Sequence, residues 1–151
     1  MRSIFVMDET MNISKSREIG ASVDSVWELL TDSAREQKYW TNIRNVKVLS
    51  ERGNTIEREA TVGPPGYAHR SHQKITLDEK KSISLLLKGE AMTGERTITL
   101  SEEGPKTKVK VEWNLKMDGV PNFVNSIVKN QISSITSKAL SRIAADAEGR
   151  A

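Results

Sequence analysis

"KVKVEWNLKM", residues 108–117, alternates with a period of two. Val109, Val111, Trp113, Leu115 and Met117 fall on one side, and Lys108, Lys110, Glu112 and Lys116 on the other. Successive side chains of a strand point to opposite faces, so this segment predicts a strand with one buried and one wet face. Such a strand is not stable alone. It needs neighbours of the same kind and a second layer over its apolar side.

The chain upstream supplies those neighbours. "RNVKVLSE" (44–51) and "TIEREATV" (55–62) flank a turn at Gly53-Asn54. "YAHRSHQKITL" (67–77) follows the rigid "GPPG", "SISLLLKGEA" (82–91) follows the charged turn "DEKK", and "ERTITLS" (95–101) follows Thr93-Gly94. Six segments at this spacing predict an antiparallel meander. A seventh strand, "NISKSREIG" (12–20), comes earlier. After it, Ser22 is placed as an N-cap and Asp24 in a first helical turn, with Val23, Val26, Trp27 and Leu30 at helical spacing. "AREQKYW" predicts a second short helix ending near Trp40.

The second layer follows the sheet. Pro121 opens a long helix with Phe123, Val124, Ile127, Val128, Ile132, Ile135, Ala139, Ile143 and Ala147 as its apolar stripe. At about 27 residues and 1.5 Å each it reaches roughly 40 Å, enough to cross the sheet. The expected fold is α+β: a curved seven-stranded antiparallel sheet wrapped around a long C-terminal helix, with two short helices between strands 1 and 2. Residues 1–11 are expected to be a flexible tail and 12–148 a single domain. A strongly curved sheet cannot touch a straight helix everywhere, so a cavity between them is expected as a ligand site.

Composition narrows the function. The chain has 151 residues, 36% of them hydrophobic and 28% charged, with 23 Lys and Arg against 20 Asp and Glu. A net charge of +3 and 5% aromatics argue against a nucleic-acid partner. No apolar run is long enough to span a membrane. The absence of cysteine removes disulfides and thiolate chemistry and fits a cytoplasmic location. A homodimer is left open.

"SREIGASVDSVWELLTD", residues 16–32, has a strand ending in "I-x-A", then a capped helix carrying "VW-x-LL-x-D", with Trp40 following. This pattern resembles the opening of the START-like, or SRPBCC, superfamily, and the order of the later elements matches it over residues 12–148. The resemblance implies a helix-grip fold with an internal pocket. It is compatible with polyketide cyclases and dehydratases, lipid carriers and chaperone-activating domains. Relatives that hold iron need two co-facing histidines and a carboxylate.

The two histidines, His69 and His72, are three positions apart, which puts them on opposite faces of a strand. No metal site and no cofactor is therefore expected. His69 shares parity with Ser71, Gln73, Ile75 and Leu77 and should face inward. Extending the register through tight turns predicts two cross-strand rows on the concave face. One is Ala60, His69, Ala91, Arg96, Trp113, and the other is Arg58, Ser71, Gly89, Ile98, Val111. Arg58 and Arg96, if inward, require acidic partners, water or a ligand anion. The candidate ligand-binding residues are thus Arg58, His69, Ser71, Gln73, Leu87, Arg96, Trp113 and Ile127.

The favoured function is carriage or sensing of a hydrophobic small molecule with an anionic or carbonyl group. The alternatives are a cyclase- or dehydratase-type enzyme with His69 as acid/base, and a protein-interaction domain. Enzyme activity is disfavoured because the middle of the sheet carries no inward-facing acid to set the imidazole tautomer.

Overall fold

A computed structural model describes residues 10–63 and 68–149 of the chain. The elements in order are β1 (Thr10–Ile19), α1 (Val23–Leu30), α2 (Glu36–Tyr39), β2 (Ile43–Arg52), β3 (Thr55–Val62), β4 (His69–Asp78), β5 (Ser82–Gly89), β6 (Met92–Glu103), β7 (Lys106–Met117) and α3 (Asn122–Gly149). They form one antiparallel sheet of order β1-β7-β6-β5-β4-β3-β2, the helix-grip arrangement. The first strand starts at Thr10, earlier than expected. Met11 is buried and pairs with Leu115, so it belongs to the core and not to a tail. The rest of the expected tail lies outside the described residues.

Local signals behave as their chemistry requires. Ser22 caps α1, its hydroxyl accepting from the Ser25 N–H at 3.2 Å, and Asp24 occupies the first turn. In β7 the residues Val109, Val111, Trp113 and Leu115 are buried while their neighbours are exposed. The same alternation runs through β4, where Ser71, Gln73 and Ile75 are buried and His72 is exposed.

The 28 residues of α3 span about 42 Å at 1.5 Å each. Its backbone approaches β1, β7, α1 and α2 rather than the β3–β5 half of the sheet. The buried stripe is Val124, Val128, Ile132, Thr136, Ala139, Leu140, Ile143, Ala144 and Ala147. The stripe therefore lies on a narrower arc than expected. Phe123 and Ile127 are 65% and 41% exposed, and Ile127 does not line the interior. The i, i+4 row through Val124, Val128, Ile132 and Thr136 faces the sheet, and Ile127 lies about 60° beyond Val124, on the side away from the rest of the row. Among the described residues no helix is long and apolar enough to cross a membrane.

Two registers differ from expectation. In the β3–β4 hairpin Ala60 pairs with Ser71 and Arg58 with Gln73, because the connection is six residues long (63–68) and not four. Val62 pairs with His69, and Tyr67 lies outside the described residues. In the β5–β6 hairpin Arg96 pairs with Leu85 and not with Ala91, since the chain reverses at residues 89–92 and Thr93-Gly94 is already strand. Ser71 with Gly89, Ile98 with Val111 and Arg96 with Trp113 pair as expected. Both shifts are even, so every side chain keeps its face while its neighbours change.

Candidate ligand-binding site

The observed rows bring different residues together. One row is Ile56, Ile75, Leu85, Arg96, Trp113 and Ile13; the next is Arg58, Gln73, Leu87, Gly94, Leu115 and Met11. Arg58, Arg96, Gln73, Leu87 and Trp113 thus share two adjacent rows of the concave face, and all five are buried. His69 and Ser71 do not join them. His69 lies six residues before Ile75 in β4, about 20 Å along the strand from Arg96's row at 3.3 Å per residue. Ser71 sits between Ala60 and Gly89. The imidazole of His69 lies over Gly89, where a Cβ would come within 2.4 Å of its Nε2. The expected grouping of His69 with Arg96 and Trp113 is therefore incorrect.

Arg58 finds the acidic partner that its burial demands. Its Nη1 and Nη2 donate to Glu36 Oε1 and Oε2 at 2.6 and 2.7 Å, and its Nε donates to Gln73 Oε1 at 2.8 Å. The two charged side chains are only 5% and 15% exposed. A bidentate fork fixes both partners in one geometry. Glu36 comes from α2, not from the sheet, which is why strand parity could not find it. Its sequence signal is Trp40, a large aromatic four positions on and thus about one helical turn from Glu36.

Arg96 is held differently. It is 3% exposed, with its guanidinium carbon 4.5 Å from the Trp40 ring centroid and 5.6 Å from that of Trp113. The two indoles meet edge to face at 6.1 Å. Trp113 is anchored in turn, its Nε1 donating to Thr136 Oγ1 on α3 at 2.9 Å. Arg96 thus has two aromatic neighbours, but its Nε and Nη1 have no hydrogen-bond partner among the described residues. Desolvation lowers its pKa to about 10, partly opposed by Glu36, which leaves it charged at neutral pH.

A cleft opens beside this cluster. Its walls include Leu30, Ile56, Ile75, Leu77 and Ile83, its mouth Thr31, Asp32 and Ser33, and its floor Glu36, Arg58 and Arg96. The free volume is about 80 Å³, small beside the roughly 300–1,000 Å³ of a site that engulfs a drug-sized ligand. Trp40 and Trp113 are both buried beside Arg96.

The sequence profile of the polyketide cyclase/dehydrase and lipid-transport family matches residues 10–148. The chain belongs to this family. Membership implies binding of a hydrophobic ligand. The fold is similar to that of the ZhuI aromatase/cyclase of Streptomyces sp. R1128 (12% identity, 89% of this chain and 94% of that one, TM-score 0.74). It is also similar to a START superfamily protein of Mycobacterium smegmatis (18% identity, 92% and 95% covered, TM-score 0.70). A protein of Thermus thermophilus shares it as well (17% identity, 89% and 98% covered, TM-score 0.71). At these identities the likeness is one of fold. No curated protein matches the sequence significantly.

In this family member the helix that carries Glu36 is clamped from its other side. Tyr39 Oη donates to Asp146 Oδ2 at 2.6 Å, and Lys38 Nζ and Arg35 Nη1 reach the same oxygen at 2.9 and 3.3 Å. A four-residue helix has little stability of its own, so these contacts to α3 hold Glu36 over Arg58. The Tyr39 hydrogen bond, followed by Lys38, holds the Asp146 carboxyl below its ordinary range. Burial, followed by the Asp146 contact, pushes the Tyr39 phenol up to about 12. The two shifts act at opposite ends of the pH scale. The carboxylate's contribution is present above the ordinary carboxyl range and lost as pH falls through its lowered pKa. The phenol's contribution is present below about pH 10 and lost as pH rises toward about 12. Asp146→Ala is expected to lower the melting temperature by roughly 3–6 °C at about pH 7, from about 1–2 kcal/mol of lost hydrogen bonding. The deficit should shrink as the pH is lowered and the wild-type carboxyl itself becomes protonated. A deficit unchanged with pH in thermal melts would show that the carboxylate charge contributes nothing.

Proposed function

We propose that the protein binds a small amphipathic molecule in the cleft between α1–α2 and the β3–β6 face of the sheet, as a carrier or sensor. The observation that carries this is an apolar-walled cleft ending on charged groups, the buried Arg58 and Arg96 and the half-buried Glu36. Leu30, Ile56, Ile75, Leu77 and Ile83 supply apolar contact area. The polar floor orients one end, the usual division of labour in small-molecule sites. A cavity of about 80 Å³ favours a ligand whose polar head enters while its body lies along the open part of the cleft.

Binding is favoured over catalysis. General acid/base chemistry needs a titrating group within hydrogen-bond reach of the reacting atoms. The one inward-facing imidazole, His69, is about 20 Å along β4 from the Arg96 row. The glutamate at the cleft floor is engaged at both oxygens by Arg58.

Octanamide, which is uncharged, is the test ligand, with tryptophan emission as the signal because Trp40 and Trp113 flank Arg96. Saturable binding is expected in the wild type. It should weaken about tenfold or more in Ser33→Phe, which places a ring at the exposed mouth without touching the core. Undiminished binding in Ser33→Phe would place the ligand elsewhere, and no binding at all in the wild type would remove the proposal.

A further inference from the structure

We propose that the inner end of this cleft is an anion subsite whose receptor is Arg96, so that the protein selects apolar ligands bearing one carboxylate or similarly acidic oxygen. The assignment rests on the cleft being a ligand site and adds the charge class of the ligand.

Three observations carry it. The first is charge. Arg58 and Arg96 contribute two positive charges to the floor, and Glu36 contributes one negative. Glu36 is committed to Arg58 through both oxygens. The other carboxylate of the cleft, Asp32, stands at the mouth with its side chain 42% exposed and 3.3 Å from Arg35 Nε. One positive charge is left over at the buried end. The second is geometry. The Trp40 and Trp113 ring centroids lie 4.5 and 5.6 Å from the Arg96 guanidinium carbon, contacts that attract the charge but supply no oxygen acceptor for its N–H donors. Nε and Nη1 have no hydrogen-bond partner among the described residues although the residue is 97% buried. The third is rigidity. Trp113 is tied to Thr136, and Arg58 to Gln73 and Glu36, so the guanidinium is prepositioned. A neutral carbonyl could accept those N–H groups, but only an anion also cancels the uncompensated charge. Hydrogen bonds to charged groups are roughly twice as strong as neutral ones.

Binding of octanoate and of octanamide, matched in length and differing in charge, separates the possibilities. In the wild type octanoate is expected to bind about tenfold or more tightly, the ratio a charge-assisted hydrogen bond supplies in a desolvated site. Arg96→Met should abolish the preference, bringing the ratio of octanoate to octanamide affinity to about one. Should that variant fail to fold by circular dichroism, Glu36→Gln provides the opposite test. Removing the one negative charge should raise the octanoate preference several-fold. Equal binding of the two ligands to the wild type, a carboxylate preference that survives Arg96→Met, or no increase in Glu36→Gln would each overturn the anion subsite while leaving the cleft assignment standing. Failure of both ligands to bind would overturn both.

Discussion

Glu36→Ala is expected to lower the unfolding free energy by about 3–5 kcal/mol, the usual consequence of removing one partner of a buried ion pair. Arg58 would keep its charge and its buried position, with only Gln73 Oε1 to accept from it. The magnitude reflects the stranded cation more than the worth of the pair, and a second variant separates the two. Replacing both residues, Glu36→Leu with Arg58→Met, should recover most of the loss, because an apolar pair of similar volume carries no uncompensated charge. Urea denaturation of the wild type, both single variants and the double variant gives the coupling energy. A single-variant loss below about 1 kcal/mol would mean that water reaches the pair and screens it as it does a surface bridge. A double variant no more stable than Glu36→Ala would mean that the fork also holds α2 in place.

Gly94→Ala is expected to be comparably damaging for a reason unrelated to charge. A Cβ built on Gly94 would be 2.1 Å from the Asn114 carbonyl oxygen and 2.8 Å from the Leu115 Cα, and the residue has φ +148°. The obstructing atoms are backbone of the neighbouring strand β7, so they cannot swing aside as a side chain would. A loss of about 3 kcal/mol or more, or failure to accumulate as folded protein, is expected from strained backbone plus overlap. Gly53→Ala is the control. Gly53 also has positive φ (+58°) but has open space around it, so it should lose only about 1–2 kcal/mol. Equal losses at the two positions would show that backbone conformation, and not close approach of β7, governs Gly94.

Gly94 also illustrates where sequence reasoning stops. Next to Thr93 it has the composition of a turn, and a hairpin closing there would place Arg96 beside Ala91 and His69. A glycine inside a strand pattern signals equally well a close approach of another backbone, and that is its role here. The β3–β4 connection carries the same ambiguity, since "GPPG" marks a break without stating its length. Glu36 is hidden from the sequence because strand parity says nothing about side chains arriving from a helix. Ile127 falls outside the site because an apolar stripe on a helix is wider than the arc that can touch the sheet, and position 127 lies on the outer margin of that arc.

The sequence alone determined the order of the elements, the cap at Ser22 and the face on which each strand residue lies, inward for Arg58, Gln73, Arg96 and Trp113. These are local properties, dictated by periods of 2 and 3.6 and by the chemistry of single turns. Only the tertiary structure decided which inward residues are neighbours: Glu36 gripping Arg58, Arg96 between Trp40 and Trp113, and His69 set apart from both. Neighbours across strands depend on loop lengths, and an even slip of register changes every contact without moving a side chain to the other face.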